Sequence, residues 1–152
     1  MSTPTQRLAE LGLSLPPVAT PVASYVPATR VGDQVWTSGQ LPLVGGTPTV
    51  LGKAGAEVSA EQANEAARVA ILNALAAAAD VAGGLDSITR VLKVTAFVAS
   101  APGFTGQPVV ANGASDLLGE VFGEAGAHVR SAVGVAELPL GVPVEIELVV
   151  QV

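Results

Sequence analysis

The sequence predicts an α+β domain built on one sheet, with two helices on a single face. The order of the predicted elements and the periodicity of apolar residues carry this prediction: strands and two helical segments, 59–82 and 107–122, follow one another as ββαβαββ. A length of 152 residues is that of one domain. We expect residues 1–20 to form an N-terminal helix and linker, and residues 21–152 to form the domain itself.

The N-terminal elements are marked by proline and glycine. Thr3 is a candidate N-cap before Pro4, so a short helix is expected over residues 6–11, ended by the segment 13–17. The proline-rich stretch up to Pro21 is a linker or an extended arm. Strands are expected at 24–29 and 34–38 with a turn at 31–33, and residues 43–48 are expected to form a surface loop.

The remaining elements have clearer boundaries. Ser59 and Gln62 have the spacing of a capping box, and Gly83 supplies the end of a long helix that is rich in alanine. Alternating apolar residues predict a strand at 87–100, and Gly123 is expected to end the second helix. The last two strands are expected at 128–135 and 144–152, with a turn-rich connection over 137–143.

Composition limits the partners. Charged residues make up 13% of the chain and the net charge is −6, so tight binding to nucleic acid or to an anionic membrane is not expected. The two long uncharged runs, 34–52 and 94–115, are broken by glycine, proline and polar residues, which does not predict membrane spans. The chain has no cysteine, and the sequence shows no signal peptide; we expect a cytoplasmic protein.

One face of the predicted sheet has no cover. It is rich in aliphatic residues, and the chain contains no third long helix to lie on it. A surface this poor in charge and rich in apolar residues is typical of one buried against another subunit.

Arg130 is the leading candidate for function. It lies in one predicted strand, while Glu145 and Glu147 share a face of the last strand, and almost all neighbouring residues are apolar. Charged groups removed from water without a partner are costly, so a cleft or an interface is indicated. The guanidinium fork suits a carboxylate, which makes a small organic acid the first ligand to consider. The alternative is a structural ion pair between Arg130 and Glu145 or Glu147 across a hairpin.

The other candidates also have structural interpretations. Ser38 and Gly39 follow a strand, where a glycine would let a ligand approach backbone N–H groups, although an ordinary turn is equally consistent. His128 is the only histidine, and a structural role is the more typical one. No spacing of metal ligands, no phosphate-binding loop and no dinucleotide motif is present in the sequence, so no cofactor or metal is predicted.

The same residues carry a family resemblance. The segments 130–133, 138–139 and 144–147 resemble the C-terminal signature of the Rid (YjgF-type) family of enamine/imine deaminases, and 25–26 and 37–42 resemble its N-terminal signature. The resemblance extends from about Pro21 to Val152. It implies a chorismate-mutase-like fold with a mixed sheet, a homotrimer whose sheets form a central barrel, and active sites in clefts between subunits.

The resemblance also implies roles for individual residues. Arg130 matches the arginine that holds the substrate carboxylate, and Glu145 matches the glutamate that positions or activates the hydrolytic water; Glu147 is then structural. The residues expected to line the cleft or to fix the water and the nitrogen are Tyr25, Ser38, Gly39, Asn112 and Ala132, of which Asn112 matches only with a one-residue insertion.

The chain departs from the family pattern at several positions. Ala132 stands where many members have a cysteine, Gly134 replaces a bulkier residue and would enlarge the pocket, and the N-terminal helix is additional. These departures suggest a divergent subgroup.

The implied activity is hydrolysis of a reactive 2-imino or enamine acid to a 2-keto acid and ammonia, with no cofactor. Three alternatives remain open. They are a non-catalytic trimer that binds a small carboxylate, an endoribonuclease, against which the acidic charge argues, and a purely structural trimer.

Overall fold

The computed structural model describes residues 2–21 and 23–152. Five strands form one mixed sheet in the order β1-β2-β7-β5-β6, in which only β5 and β6 are parallel. Their bounds are Ala28–Val31 (β1), Gln34–Thr37 (β2), Arg90–Ala99 (β5), Val129–Val135 (β6) and Val144–Gln151 (β7). A separate hairpin is formed by Leu43–Val44 (β3) and Thr47–Pro48 (β4).

Two long helices cover one face of this sheet. They are α2 (Ala60–Ala82) and α3 (Gln107–Phe122). The predicted capping box of α2 is present: the Ser59 side chain accepts from the backbone N–H of Gln62, whose side chain accepts from the N–H of Ser59. Gly83 ends the helix with a left-handed backbone conformation. The fold is therefore the predicted α+β architecture.

The core lies between the helices and the sheet. Small alanines let α2 lie close to the strands, and larger aliphatic side chains fill the remaining space. Fully buried side chains from both layers include Ile71, Leu75, Val94, Leu117, Leu118, Ile146 and Leu148.

The two helices approach each other closely at Gly113. A Cβ atom at this position would collide with the carbonyl oxygen of Asn64 in α2. The Asn64 side-chain amide also donates to the carbonyl oxygen of Val109 at 2.8 Å. This contact fixes the position of α3 relative to α2, and so relative to the sheet.

The opposite face of the sheet is open in the single chain. Val31, Trp36, Val129 and Val133 lie on it, and Trp36 is 51% exposed. As the sequence predicts, no helix covers this surface, which combines exposed apolar side chains with the charged residues Lys93, Glu145 and Glu147. Among the described residues, no helix is long and apolar enough to cross a membrane.

A short helix, α1 (Pro4–Glu10), precedes the sheet and packs on α3. Thr3 is its N-cap, as predicted, and Leu8 is buried. The Arg7 guanidinium donates to the carbonyl oxygen of Val121, and the N–H of Thr5 donates to the Asp86 carboxylate at 2.9 Å. The N-terminal helix is thus attached to the helical layer.

The structure corrects several predicted element boundaries. The first strand begins at Ala28 rather than at residue 24, because the preceding chain bends, with the N–H of Tyr25 donating to the carbonyl oxygen of Ala23 at 2.9 Å. Val31 belongs to that strand, leaving 32–33 as the turn. The predicted loop at 43–48 is the β3–β4 hairpin, turned by two glycines with positive φ.

Two further corrections concern the strands that follow the first long helix. The segment 85–87 is a 3₁₀ turn, so β5 starts at Arg90 rather than at residue 87. The last two strands, β6 and β7, do not form a hairpin, because β5 lies between them and pairs with both. This order separates Arg130 from the two glutamates.

Candidate functional site

Arg130 lies on the edge strand β6, and its side chain faces α3. Its partner on β5 is Val94, which is fully buried under the helices, so Arg130 is on the helix-covered side of the sheet. The Nη1 atom donates to Asn112 Oδ1 at 2.8 Å and to Ser115 Oγ at 3.1 Å, both on α3. The Nη2 atom lies 3.5 Å from the Pro108 carbonyl oxygen.

Ser115 connects the arginine to the single histidine. Its Oγ atom is 2.9 Å from His128 Nε2, and His128 Nδ1 is 2.6 Å from the carbonyl oxygen of Gly126. Arg130, Ser115 and His128 are all half-buried. We call this group, with Asn112, the arginine cluster.

Arg130 has no carboxylate partner among the described residues. The ion pairs found within the described residues are Lys53–Glu137 and Arg68–Glu120. Pairing of Arg130 with Glu145 or Glu147 is therefore not observed, and the intervening β5 is the reason. The Nε atom also has no hydrogen-bond partner within residues 2–21 and 23–152. Nε and Nη2 together form the side of the guanidinium that can bind a carboxylate at two points.

Glu145 lies in a small pocket on the other side of the molecule. The cavity has a volume of about 60 Å³, and it is lined by Ala19, Thr20, Pro21, Tyr25, Pro27, Gly39, Gln40, Leu41, Leu43, Pro139 and Glu145. Desolvation raises the pKa of Glu145 above its ordinary value, and the nearby charge of Glu147 raises it further. A carboxylate in this environment is a better proton acceptor than one in water.

The residues around Glu145 have distinct roles. A Cβ atom at Gly39 would lie 2.6 Å from Glu145 Oε2, so the missing side chain of Gly39 provides the space for this carboxylate. Tyr25, 44% exposed, lines the same pocket. The Ser38 hydroxyl donates to the Val26 carbonyl at 2.6 Å and does not line this pocket; it holds the loop that carries Tyr25.

Three other positions are clarified by the structure. Ala132 is half-buried and lies two residues from Arg130 on the same face of β6. Gly134 does not enlarge the pocket as expected, because a Cβ there would lie 2.9 Å from Gln107 Nε2, whose side chain fills that space. Glu147 is exposed on the open face of the sheet.

No cluster of three or more candidate metal ligands occurs among the described residues.

The arginine cluster and the Glu145 pocket do not meet within one chain. Arg130 and Leu148 both pair with Val94 of β5, whereas Glu145 and Val133 both pair with Phe97. The two side chains therefore point to opposite faces, from strands separated by β5 and so by about 10 Å. The predicted site residues thus form two groups. One contains Arg130, Asn112 and Ala132; the other contains Glu145, Gly39 and Tyr25.

Some contributors could not be identified by sequence reasoning. Ser115 and Gln107 are single polar residues on a helix. The structure places Ser115 beside Arg130 of β6, and the Gln107 side chain against Gly134 of the same strand. The segment 19–21 lines the Glu145 pocket, whereas the sequence predicts a linker or an extended arm there. The proline content of this segment indicated an extended arm, but not where the arm would lie.

Comparison with known proteins finds a matching family profile and two similar sequences. A family profile described as "YjgF/chorismate_mutase-like, putative endoribonuclease" matches residues 5–150. Protein TCP17 of Trypanosoma cruzi is 45% identical over 95% of this chain and 91% of its own length. A RutC family protein of Synechocystis is 33% identical over 85% of this chain and 86% of its own.

Several solved structures are similar to this one over most of the chain. A protein of unknown function from Agrobacterium tumefaciens, Atu1372, is 42% identical with a TM-score of 0.88, covering 99% of this chain and 92% of that one. A Shewanella oneidensis protein described as a putative endoribonuclease has a TM-score of 0.95 at 34% identity, covering 99% and 100%. Escherichia coli TdcF, solved with bound serine, has a TM-score of 0.62 at 26% identity, covering 91% and 94%. The match over almost the whole chain shows that this protein belongs to the YjgF/chorismate-mutase-like family.

Proposed function

We propose that the protein hydrolyses reactive 2-imino or enamine acids to 2-keto acids and ammonia. The observation that carries this proposal is the state of Arg130. Its guanidinium is held by neutral acceptors, has no carboxylate partner among the described residues, and leaves Nε without a hydrogen-bond partner there. An arginine arranged in this way is suited to an incoming carboxylate.

Two further observations support a small acid as the substrate. The Glu145 cavity of about 60 Å³ has room for a water or a small reacting group rather than for a polymer. The family relative TdcF was solved with serine, a small molecule that carries a carboxylate. The net charge of −6 does not favour RNA as a substrate.

A complete site requires two chains in this proposal. Arg130 and Glu145 point to opposite faces of one sheet, so a single small molecule cannot contact both within one chain. The open apolar face, with Trp36 and Val133 exposed, is the surface that an oligomer would bury. We therefore propose a homotrimer in which Arg130 of one subunit and Glu145 of its neighbour share a cleft.

The proposed chemistry needs only these groups and water. Arg130 would hold the carboxylate and so fix the imine carbon. Glu145, with its raised pKa, would accept a proton from water as the oxygen attacks that carbon, and would pass it to the imine nitrogen, giving a carbinolamine. The carboxylate would then take the hydroxyl proton and deliver it to the nitrogen as the C=O bond forms and the C–N bond breaks, releasing ammonia and the 2-keto acid. Because such imines are labile in water, positioning can supply much of the acceleration.

The test is an Arg130→Lys variant assayed on an imino acid generated in situ by an amino-acid oxidase. Lysine keeps the charge but cannot bind a carboxylate at two points. Losing one charge-assisted hydrogen bond costs roughly 1.5–3 kcal/mol, or about 10- to 150-fold in kcat/KM.

Two results would contradict the proposal. Activity of Arg130→Lys within a factor of two of the wild type would remove Arg130 from the carboxylate-binding role. A folded wild-type protein that binds 2-oxobutanoate but does not accelerate imine hydrolysis would instead favour a non-catalytic carboxylate-binding protein.

A further inference from the structure

We infer that Ser115 and His128 are positioning residues that orient the guanidinium of Arg130 through a directed chain of hydrogen bonds. The inference rests on the proposed role of Arg130 in binding a carboxylate. Its structural basis is the series of contacts Gly126–His128–Ser115–Arg130, which joins β6 to α3.

The direction of the chain follows from which atoms can donate. The Gly126 carbonyl oxygen can only accept, so His128 Nδ1, 2.6 Å away, carries the hydrogen. In the neutral ring Nε2 is then an acceptor. The Ser115 hydroxyl, 2.9 Å from Nε2, must donate its only hydrogen there.

The consequence for Arg130 is a fixed orientation. Because its hydrogen is given to His128, the Ser115 oxygen turns its lone pairs toward the guanidinium and accepts from Nη1 at 3.1 Å. Asn112 Oδ1 accepts from the same nitrogen at 2.8 Å. Both hydrogens of Nη1 are thus engaged on α3. The edge formed by Nε and Nη2 is left with one hydrogen-bond contact among the described residues, between Nη2 and the Pro108 carbonyl oxygen at 3.5 Å.

Each acceptor in the arginine cluster is neutral, which matters for binding. A carboxylate in place of Ser115 or Asn112 would compete with the substrate for the guanidinium. Neutral oxygens orient the group without cancelling its charge. The histidine provides the direction: without its acceptor at Nε2, the Ser115 hydrogen is free to point toward Arg130, where it would oppose the Nη1–H donor.

The first test does not need a ligand or turnover. His128 is the only histidine in the chain, so ¹⁵N NMR of the imidazole is unambiguous. We expect the Nδ1–H tautomer when the ring is neutral; the Nε2–H tautomer would overturn the inference. Rotation about the Cζ–Nη1 bond of Arg130, with its signals assigned by their loss in Arg130→Lys, should be hindered in the wild type.

Matched variants separate positioning from packing. His128→Asn keeps a donor near Nδ1 but has no acceptor at the place of Nε2, whereas His128→Gln can put an amide oxygen there. We expect faster Nη1 rotation in His128→Asn and recovery of the hindered rotation in His128→Gln. Ser115→Ala should behave like His128→Asn, and Ser115→Thr, which keeps the hydroxyl, should behave like the wild type.

Binding of 2-oxobutanoate, followed by calorimetry, completes the test. Ser115→Ala should weaken binding about tenfold, as expected for loss of one hydrogen bond to a charged group. If the variants lower only the melting temperature and leave Nη1 rotation unchanged, the pair is structural and the inference is wrong. If rotation responds as expected but the wild type hydrolyses no imine, the positioning inference holds and the proposed reaction fails.

Discussion

Gly39→Ala is expected to displace the Glu145 carboxylate while leaving the fold intact. The new Cβ would lie 2.6 Å from Oε2, and ordinary contact begins at about 3.4 Å, so the carboxylate has to move by about 0.8 Å. The backbone of Gly39 is not in the left-handed region, so alanine is sterically allowed there. Displacement of a reacting group by about 1 Å can cost about 10²-fold, so we expect kcat to fall by about 10- to 100-fold.

Stability should change much less than activity in this variant. Replacing glycine lowers the entropy of the unfolded chain, which stabilises by about 0.4–1 kcal/mol. A strained rotamer of Glu145 would cost about 0.5–1.5 kcal/mol. The net change in the free energy of unfolding should therefore lie within about 1 kcal/mol of zero, as measured by urea denaturation.

Gly119→Ala is the matched control for Gly39→Ala. A Cβ at Gly119 meets no atom within 4 Å, and the residue lies on the exposed side of α3. This variant should gain about 0.5–1 kcal/mol of stability from helix propensity and keep the wild-type kcat. A Gly39→Ala enzyme with unchanged kcat would show that the position of the Glu145 carboxylate does not limit the reaction, and would refute the reasoning.

Three other outcomes are expected. Glu145→Gln should lower kcat by about 10²-fold with little change in the affinity for 2-oxobutanoate, whereas Glu147→Gln should be nearly silent; greater damage in Glu147→Gln would reverse the assignment of the general base. The raised pKa of Glu145 means that its neutral form is favoured in the folded state, so its contribution to stability is present at low pH and lost as pH rises through the folded-state pKa. Glu145→Gln should therefore raise the melting temperature at neutral pH, and the gain should disappear below the ordinary carboxyl pKa. Light scattering should give three times the chain mass of 15.1 kDa, and a monomer at micromolar concentration would exclude the shared cleft.

Local signals in the sequence were sufficient for most of the architecture. The capping box at Ser59, the left-handed end at Gly83 and the long alanine-rich run between them depend on neighbouring residues only, and the helix boundaries follow from them. The same holds for the second helix, whose bounds match the prediction. Elements of this kind can be predicted because their determinants lie within a few residues of one another.

The arrangement of the candidate site depended on long-range pairing, which the sequence does not state. Insertion of β5 between β6 and β7 separates Arg130 from Glu145, and the register of both strands with β5 puts the two side chains on opposite faces, although only fifteen positions separate them in the chain. Ser115 and His128 carry no distinguishing sequence pattern, and the hydrogen bond between them forms only when α3 packs over β6. Parallel pairing and helix docking therefore set the geometry that sequence reasoning could not supply.

The close contact between Gly113 and Asn64 has a consequence for changing specificity. Asn112 and Ser115 flank Gly113 on α3, so any larger residue at that glycine would lift both acceptors away from Arg130 without touching a ligand. Variant libraries should treat this helix crossing as a fixed frame. Ala132 lies beside Arg130, and the Gln107 side chain lies over Gly134. Larger or smaller side chains at these two positions would alter the shape of the carboxylate site and leave the helix crossing unchanged.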